Sequence, residues 1–388
     1  MKTQRTSALN PQAATELPAT TQQAITGIND FSFRLLAQLA TTKSDKNLLI
    51  SGLSIATAFA LVGHGATGRT REEILQTFGW ADLSAQAIAE AFGALASVYH
   101  KNDPELVLAM ANSLWQAEHD PINPHYVEDV RQVYRADIFA INFNSPDAAE
   151  TINQWVAEKT LQKIKQLVTS NDISGATLAL LNAIYFKASW QKTFDLKRTQ
   201  DRPFTLLDGS TKSLPLMRQK ARFSYCEQEH FQAIALPYAD ERYCMAIVLP
   251  RPTIAFAEFQ QRFDNSDWQM IREEFHNTEV DLALPRFNIV EPIMLNAPLQ
   301  MLGVKKAFAA NAEFPLISSA LYISKVLHKA ALTVNEEGAE AAAATIILMT
   351  RGALSRPTEM TVDHPFLCLI YDAEHGTILF AGYIVDPE

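Results

Sequence analysis

Cysteine is scarce in this chain: three residues in 388, Cys226, Cys244 and Cys368. Three thiols cannot build a disulfide framework. Each lies in an apolar, strand-like segment and reads as a buried free thiol. Long apolar runs are also missing. The richest, 176–186, is broken by Asn182 and falls short of the roughly 18 residues a membrane helix needs. Positive charge is in deficit, with 33 Lys and Arg against 43 Asp and Glu and a net charge of -10. Binding nucleic acid requires clustered cations, so that class is excluded as the main partner. Residues 1–24 are rich in Thr, Ala, Gln and Pro and lack the apolar core of about 7–15 residues found in a secretory signal. They read as a flexible tail. No Gly/Ser- or Pro-rich linker interrupts 25–388, and no internal repeat is present, so this stretch reads as one domain.

Signatures of catalysis are equally thin. There is no G-x-S-x-G nucleophile elbow. His119 and His125 stand six apart across Pro121 and Pro124, which is not ligand spacing on a helix, so no metal site is expected. Gly63-His64-Gly65-Ala66-Thr67-Gly68 matches G-x-G-x-x-G literally. A dinucleotide site needs that motif after a strand and at the start of a long helix. Here the preceding segment is Ala-rich, and the following helix is short. The motif reads as a turn between helices, with a nucleotide-binding enzyme as the distant alternative.

What is present is an ordinary globular balance, 48% hydrophobic and 20% charged. Helical periodicity dominates the first 170 residues: a helix capped at Asn29 or Asp30, then 53–62, 71–78, 85–99 and 148–168, with a strand at 106–115. From 176 onward strands take over, at 177–186, 223–227, 231–237, 243–249, 280–289, 366–371 and 377–385. Several are apolar on both faces and must be covered on both sides.

One segment combines conflicting preferences. Residues 339–344, Ala339-Glu340-Ala341-Ala342-Ala343-Ala344, form an excellent helix by propensity, yet they offer no large apolar face to dock. They run into Thr345 and then β-prone Ile346-Ile347-Leu348-Met349, followed by Arg351-Gly352-Ala353-Leu354-Ser355-Arg356-Pro357, which reads as an exposed, protease-accessible loop. Local conflict of this kind often marks a functional segment.

At this segment the chain resembles the serpins, and the likeness extends over nearly all of 25–388. Glu336-Glu337-Gly338-Ala339-Glu340-Ala341-Ala342-Ala343-Ala344-Thr345 is similar to the hinge of a serpin reactive-centre loop. His364-Pro365-Phe366-Leu367 and Ile378-Leu379-Phe380-Ala381-Gly382 resemble the C-terminal signature. Asn182-Ala183-Ile184-Tyr185-Phe186-Lys187-Ala188-Ser189-Trp190 resembles the strand ending at the breach tryptophan.

The resemblance implies an α+β fold, with helices packed on a large central sheet plus two further sheets and a reactive-centre loop at about 336–360. It implies an inhibitor rather than an enzyme, with no catalytic residues, metal or cofactor. A serine protease, with a cysteine protease as the alternative, would cleave the loop and become acyl-linked to it, and the loop's first half would then insert into the sheet. Strand alternation explains the hinge composition, since Ala339, Ala341, Ala343 and Thr345 share one face and are all small. Glu340 falls on the opposite face. The resemblance also implies a shutter of Ser51, Ser54, Asn182 and His328, and a breach at Trp190 where Arg286 pairs with Glu336. Gly52 stands where the family has proline, which suggests a freer turn. Family spacing from Glu336 puts the scissile residue at Gly352 or Arg351; counting back from Pro365 gives Leu354, followed by Ser355. Arg351 predicts trypsin-like target serine proteases, and Leu354 chymotrypsin- or elastase-like ones. The expected molecule is a monomer able to polymerise loop to sheet, with no nucleic-acid or membrane partner. Its expected place is the extracellular space or periplasm, with the cytoplasm as alternative. A non-inhibitory chaperone or carrier is the second functional reading.

Overall fold

The computed structural model describes residues 16–99, 106–119, 122–318, 321–339 and 357–387. Its first helix, Ala19–Ala40, places Ala24, Ile28, Phe31, Leu35 and Leu39 in the core at three- and four-residue spacing. It begins ten residues before the expected cap and overlaps the expected tail. Asn29 does not cap it: the side chain is buried in mid-helix, donating to the Gly376 carbonyl at 2.8 Å and accepting from the Ile378 N–H at 2.9 Å. Polar Thr20, Thr21, Gln22 and Gln23 hid this first turn from any apolar periodicity.

Ser51 caps the next helix, Gly52–His64, by accepting from the Ser54 N–H at 3.2 Å. Gly52 does not loosen this turn. A Cβ there would lie 1.8 Å from Ser32 Oγ, so glycine allows the two helices to approach closely. The glycine-rich motif links this helix to Gly68–Thr77. Glu313 occupies that helix's N-terminus, accepting from Thr70 N–H at 3.1 Å, where a nucleotide phosphate would have to sit. The motif is a turn, as its flanks suggest.

Ala148–Lys159 is shorter than the expected 148–168 helix. Leu161 and Gln162 adopt positive φ of 52° and 63°, and the Thr160 hydroxyl accepts from Ile164 N–H, turning the chain back. Of the basic side chains nearby, Lys159 pairs with Asp137 at 2.8 Å, and Lys163 lies over the Tyr185 ring.

Among the described residues the large sheet runs Phe287–Ile289, Lys325–Val334, Leu178–Ser189, Leu106–Ala117, Asp137–Ile141. Pro292–Met294 joins Lys325–Val334, and Gly338–Ala339 joins Leu178–Ser189. The central strand is apolar on both faces because both are covered. Leu178, Leu180, Ile184 and Phe186 enter the main core, while Ala179, Leu181, Ala183 and Tyr185 pack beneath the Ala148–Lys159 helix.

The two further sheets are joined by one long strand, Thr211–Glu227, into a continuous hydrogen-bonded run. Its order is Leu48–Ile50, Ile378–Ile384, Phe366–Asp372, Tyr243–Pro250, Phe231–Pro237, Thr211–Glu227, His276–Pro285, Thr358–Thr361, with Gln200–Thr205 alongside Thr211–Glu227. The expected 280–289 strand is two strands. His276–Pro285 belongs to this second sheet and Phe287–Ile289 to the large one, leaving Arg286 at the crossing. All three cysteines are free and buried, and burial pushes the Cys244 thiol up to about 11.

Candidate functional site

The functional geometry centres on the two middle strands of the large sheet. Leu178–Ser189 and Lys325–Val334 lie parallel and directly paired, from Lys325 opposite Ala179 to Ala331 opposite Tyr185. Beyond that the pair opens, and the chain leaving Val334 turns back into the gap. Asn335 makes this turn: its Oδ1 accepts from the Glu337 and Gly338 N–H groups at 3.0 and 3.2 Å. Gly338 then pairs antiparallel with Ser189, and Ala339 with Ala188. Only glycine suits position 338. Its φ is +140°, and a Cβ would meet the Ala188 carbonyl oxygen at 2.2 Å. Ala339 is fully buried on the main-core side, the inward face expected of it.

Side chains hold this turn from below. Trp190 donates its indole N–H to the Asn335 carbonyl at 2.9 Å and its backbone N–H to Glu337 at 3.0 Å. It stacks on Tyr238 with ring centroids 4.6 Å apart and planes only 6° from parallel. The backbone carbonyl of Glu336 accepts from Phe194 at 2.8 Å. The Glu336 carboxylate accepts from Arg286 Nε at 3.0 Å and also from Arg286 Nη2 and the Thr199 hydroxyl. Burial pushes this carboxyl up, but the guanidinium and hydroxyl outweigh it and hold the pKa below the usual range. The expected pairing of Arg286 with Glu336 is therefore present, and it spans two sheets.

Lower down, the four expected shutter residues meet in one buried cluster. His328 lies level with Asn182 across the central pair. Its Nε2 accepts from Ser51 N–H at 3.0 Å, so Nδ1 carries the proton and donates to Asn182 Oδ1. Asn182 Nδ2 donates to Ser54 Oγ and Asn112 Oδ1, and Ser54 Oγ donates to Asn112 at 3.1 Å. Burial drives the imidazole pKa down to about 3, which keeps His328 neutral. The cluster bridges both strands that would have to separate, and ties them to the Gly52–His64 helix.

Sequence reasoning missed Asn112, Thr199, Tyr238 and Asn335. Asn112 was hidden: it shares an otherwise apolar strand with Ser113 and Gln116, and its place opposite Asn182 depends on strand pairing. Thr199 gave no readable signal, because its role depends on a turn after Leu196–Arg198. The remaining hinge positions, Glu340, Ala341, Ala342, Ala343, Ala344 and Thr345, lie outside the described residues. So do Arg351, Gly352, Leu354 and Ser355. Among the described residues no cluster of His, Cys, Asp and Glu could hold a metal ion, and no helix is long and apolar enough to cross a membrane.

Comparison with known proteins fits this arrangement. The family model for serpins, described as serine protease inhibitors, matches residues 26–387. An uncharacterized serpin-like protein of Methanosarcina acetivorans is 34% identical, covering 94% of this chain and 86% of its own. Human leukocyte elastase inhibitor is 33% identical over 92% of this chain and 97% of its own. Among solved structures, human thyroxine-binding globulin complexed with thyroxine superposes with a TM-score of 0.88 at 27% identity, covering 95% of this chain and all of the other. The thermophilic serpin tengpin, in its native state, gives 0.87 at 26% identity, covering 97% of each chain. Sequence match, fold and the hinge over paired central strands agree: the chain belongs to the serpin family.

Proposed function

We propose that this serpin inhibits serine endopeptidases as a suicide substrate and traps the acyl-enzyme by inserting its cleaved loop. The observation that carries the proposal is the antiparallel pairing of Gly338 and Ala339 at the head of a parallel strand pair. Insertion would exchange one parallel ladder for two antiparallel ladders, and parallel pairing is slightly the weaker per residue. Continuing the register of Gly338 with Ser189 one for one brings Thr345 level with Asn182 and Met349 level with Leu178. A strand of residues 338–349 therefore fills the slot. About a dozen residues gaining ladder bonds at roughly 0.5–1.5 kcal/mol each supplies on the order of 10 kcal/mol.

The slot ends two residues before Arg351, which favours Arg351 over Leu354 as the scissile residue. The protease serine would attack the Arg351 carbonyl, the bond to Gly352 would break, and the Gly352 amine would leave, with an ester holding the enzyme. Arg351 suits a trypsin-like specificity pocket. The second reading, a non-inhibitory carrier, draws on the similarity to thyroxine-binding globulin.

Incubation with trypsin and with chymotrypsin separates the two. Inhibition predicts an SDS-stable complex, a C-terminal fragment whose mass begins at Gly352 with trypsin, and a large rise in the melting temperature of the cleaved protein. Cleavage yielding neither complex nor thermal rise would sink the proposal.

A further inference from the structure

Charge is unevenly distributed along this acidic chain. Residues 187–222 carry nine Lys and Arg but only three Asp and no Glu, leaving 24 basic against 40 acidic residues elsewhere. The fold brings this basic segment to both feet of the loop. Ala188 pairs with Ala339, the last described residue before the loop. Thr358, just beyond it, pairs with Val280, whose other neighbour is Ala221. Anything engaging the chain between these feet must face this end of the molecule.

Several nearby acids are committed, while Glu337 and Glu359 at the two feet are exposed. Asp281 binds Arg218 through two bonds of 2.8 and 2.6 Å, Glu336 holds Arg286, and Glu279 lies 3.7 Å from Lys220. Lys192 and Lys197 are exposed and have no ion pair among the described residues. Arg222 is also exposed, with one weak bond of 3.3 Å to the Asn277 carbonyl. Lys192 and Arg222 flank one surface recess beside Trp190. Adjacent to Lys197, Leu196 is 65% exposed on the 3-10 turn leading to Thr199, which holds the hinge.

We propose that this basic end is a docking surface for the target endopeptidase and selects enzymes whose active-site cleft has an acidic rim. The proposal rests on the inhibitory reading above. An exposed leucine among cations suits a folded protein surface, which offers apolar and charged contacts together. A linear polyanion needs an uninterrupted row of cations, and Asp195 and Asp201 break this one. Complementary charge acts mainly on the association rate and on partner choice, and its effect weakens with salt.

Anionic and cationic trypsin share cleft chemistry but differ in surface charge. The test measures the rate of complex formation with each, and the affinity of catalytically inactive forms of each, for the wild type and for the combined Lys192→Glu, Lys197→Glu, Arg222→Glu variant. We expect the wild type to associate faster with the anionic enzyme, with a rate falling as salt rises. The variant should lose about tenfold in that rate at low salt, and its rate should no longer fall as salt rises. Its melting temperature and the number of molecules consumed per trapped enzyme should stay unchanged. Equal rates and affinities for the two trypsins, or a variant indistinguishable from wild type, would overturn the docking surface. Heparin binding abolished by the same substitutions, with trypsin docking unaffected, would also overturn it. Retained preference of the inactive enzymes without any covalent complex would overturn only the inhibitory reading.

Discussion

His328 shows how burial turns one side chain into a pH-dependent clamp. In the native protein its pKa is pushed down to about 3, whereas an unfolded histidine titrates near 6.5. Between those values the unfolded chain binds more protons, so stability is fully present above about pH 6.5 and falls as pH drops toward 3. The slope is at most about 1.4 kcal/mol per pH unit. Urea unfolding at pH 7.5 and pH 5 should show this loss, and His328→Gln should remove its share. A His328 ring signal that titrates near pH 6.5 by NMR would refute the assignment. At the hinge, Gly338→Ala places a methyl against the Ala188 carbonyl and forces an unfavourable φ. It should lower the yield of covalent complex and slow insertion while leaving cleavage by trypsin intact. Unchanged complex yield would show that the pairing at 338 is dispensable. The four shutter residues were legible by likeness to a family pattern, but Asn112, which completes their bonds, was hidden by the apolar strand around it.

Some elements were read with their full bounds. The Ala85–Tyr99 helix and the Phe231–Pro237 strand have the boundaries that their patterns predict. Thr211–Glu227 extends twelve residues before the strand expected at 223, because 211–222 alternates charged and apolar residues irregularly. The split at Arg286 went unread although the large apolar residues change parity there, from 280, 282 and 284 to 287 and 289. Hinge residues 340–345 lie outside the described residues, and their small side chains suit the strand that the proposed insertion would make of them. That difference is testable. In the continued register Ala343 lies level with Ile184 on the core side, and Glu340 lies level with Lys187 on the solvent side. Ala343→Glu would bury an unpaired charge, costing several kcal/mol on insertion. It should convert the inhibitor into a plain substrate, whereas Glu340→Ala should leave complex formation intact. Equal trapping by both variants would mean the register does not continue as drawn.

Across the molecule, the middle pair of the large sheet is parallel, the slightly weaker mode of pairing. Under the proposed function, segment 338–349 would give both strands an antiparallel partner. A synthetic peptide of that sequence, supplied in excess, should anneal into the slot and raise the melting temperature. The annealed protein should be cleaved by trypsin without trapping it. A peptide that binds without thermal effect would indicate a site outside the central sheet. The α+β class and the sheets were readable from strand composition together with family likeness. The fusion of the two further sheets, and the basic end beneath the loop, follow from chain crossings that no linear pattern displays.

The two residues Gly338 and Ala339 also act as a ruler. Side chains alternate with a period of two along a strand, so these positions set the parity of every residue that follows. Adding one residue between 339 and 343 would leave the composition almost unchanged yet reverse which side chains point inward beyond it. Two added residues would restore parity and shift the halting point by two. If the loop inserts as proposed, one residue added between 339 and 343 should impair trapping more than two.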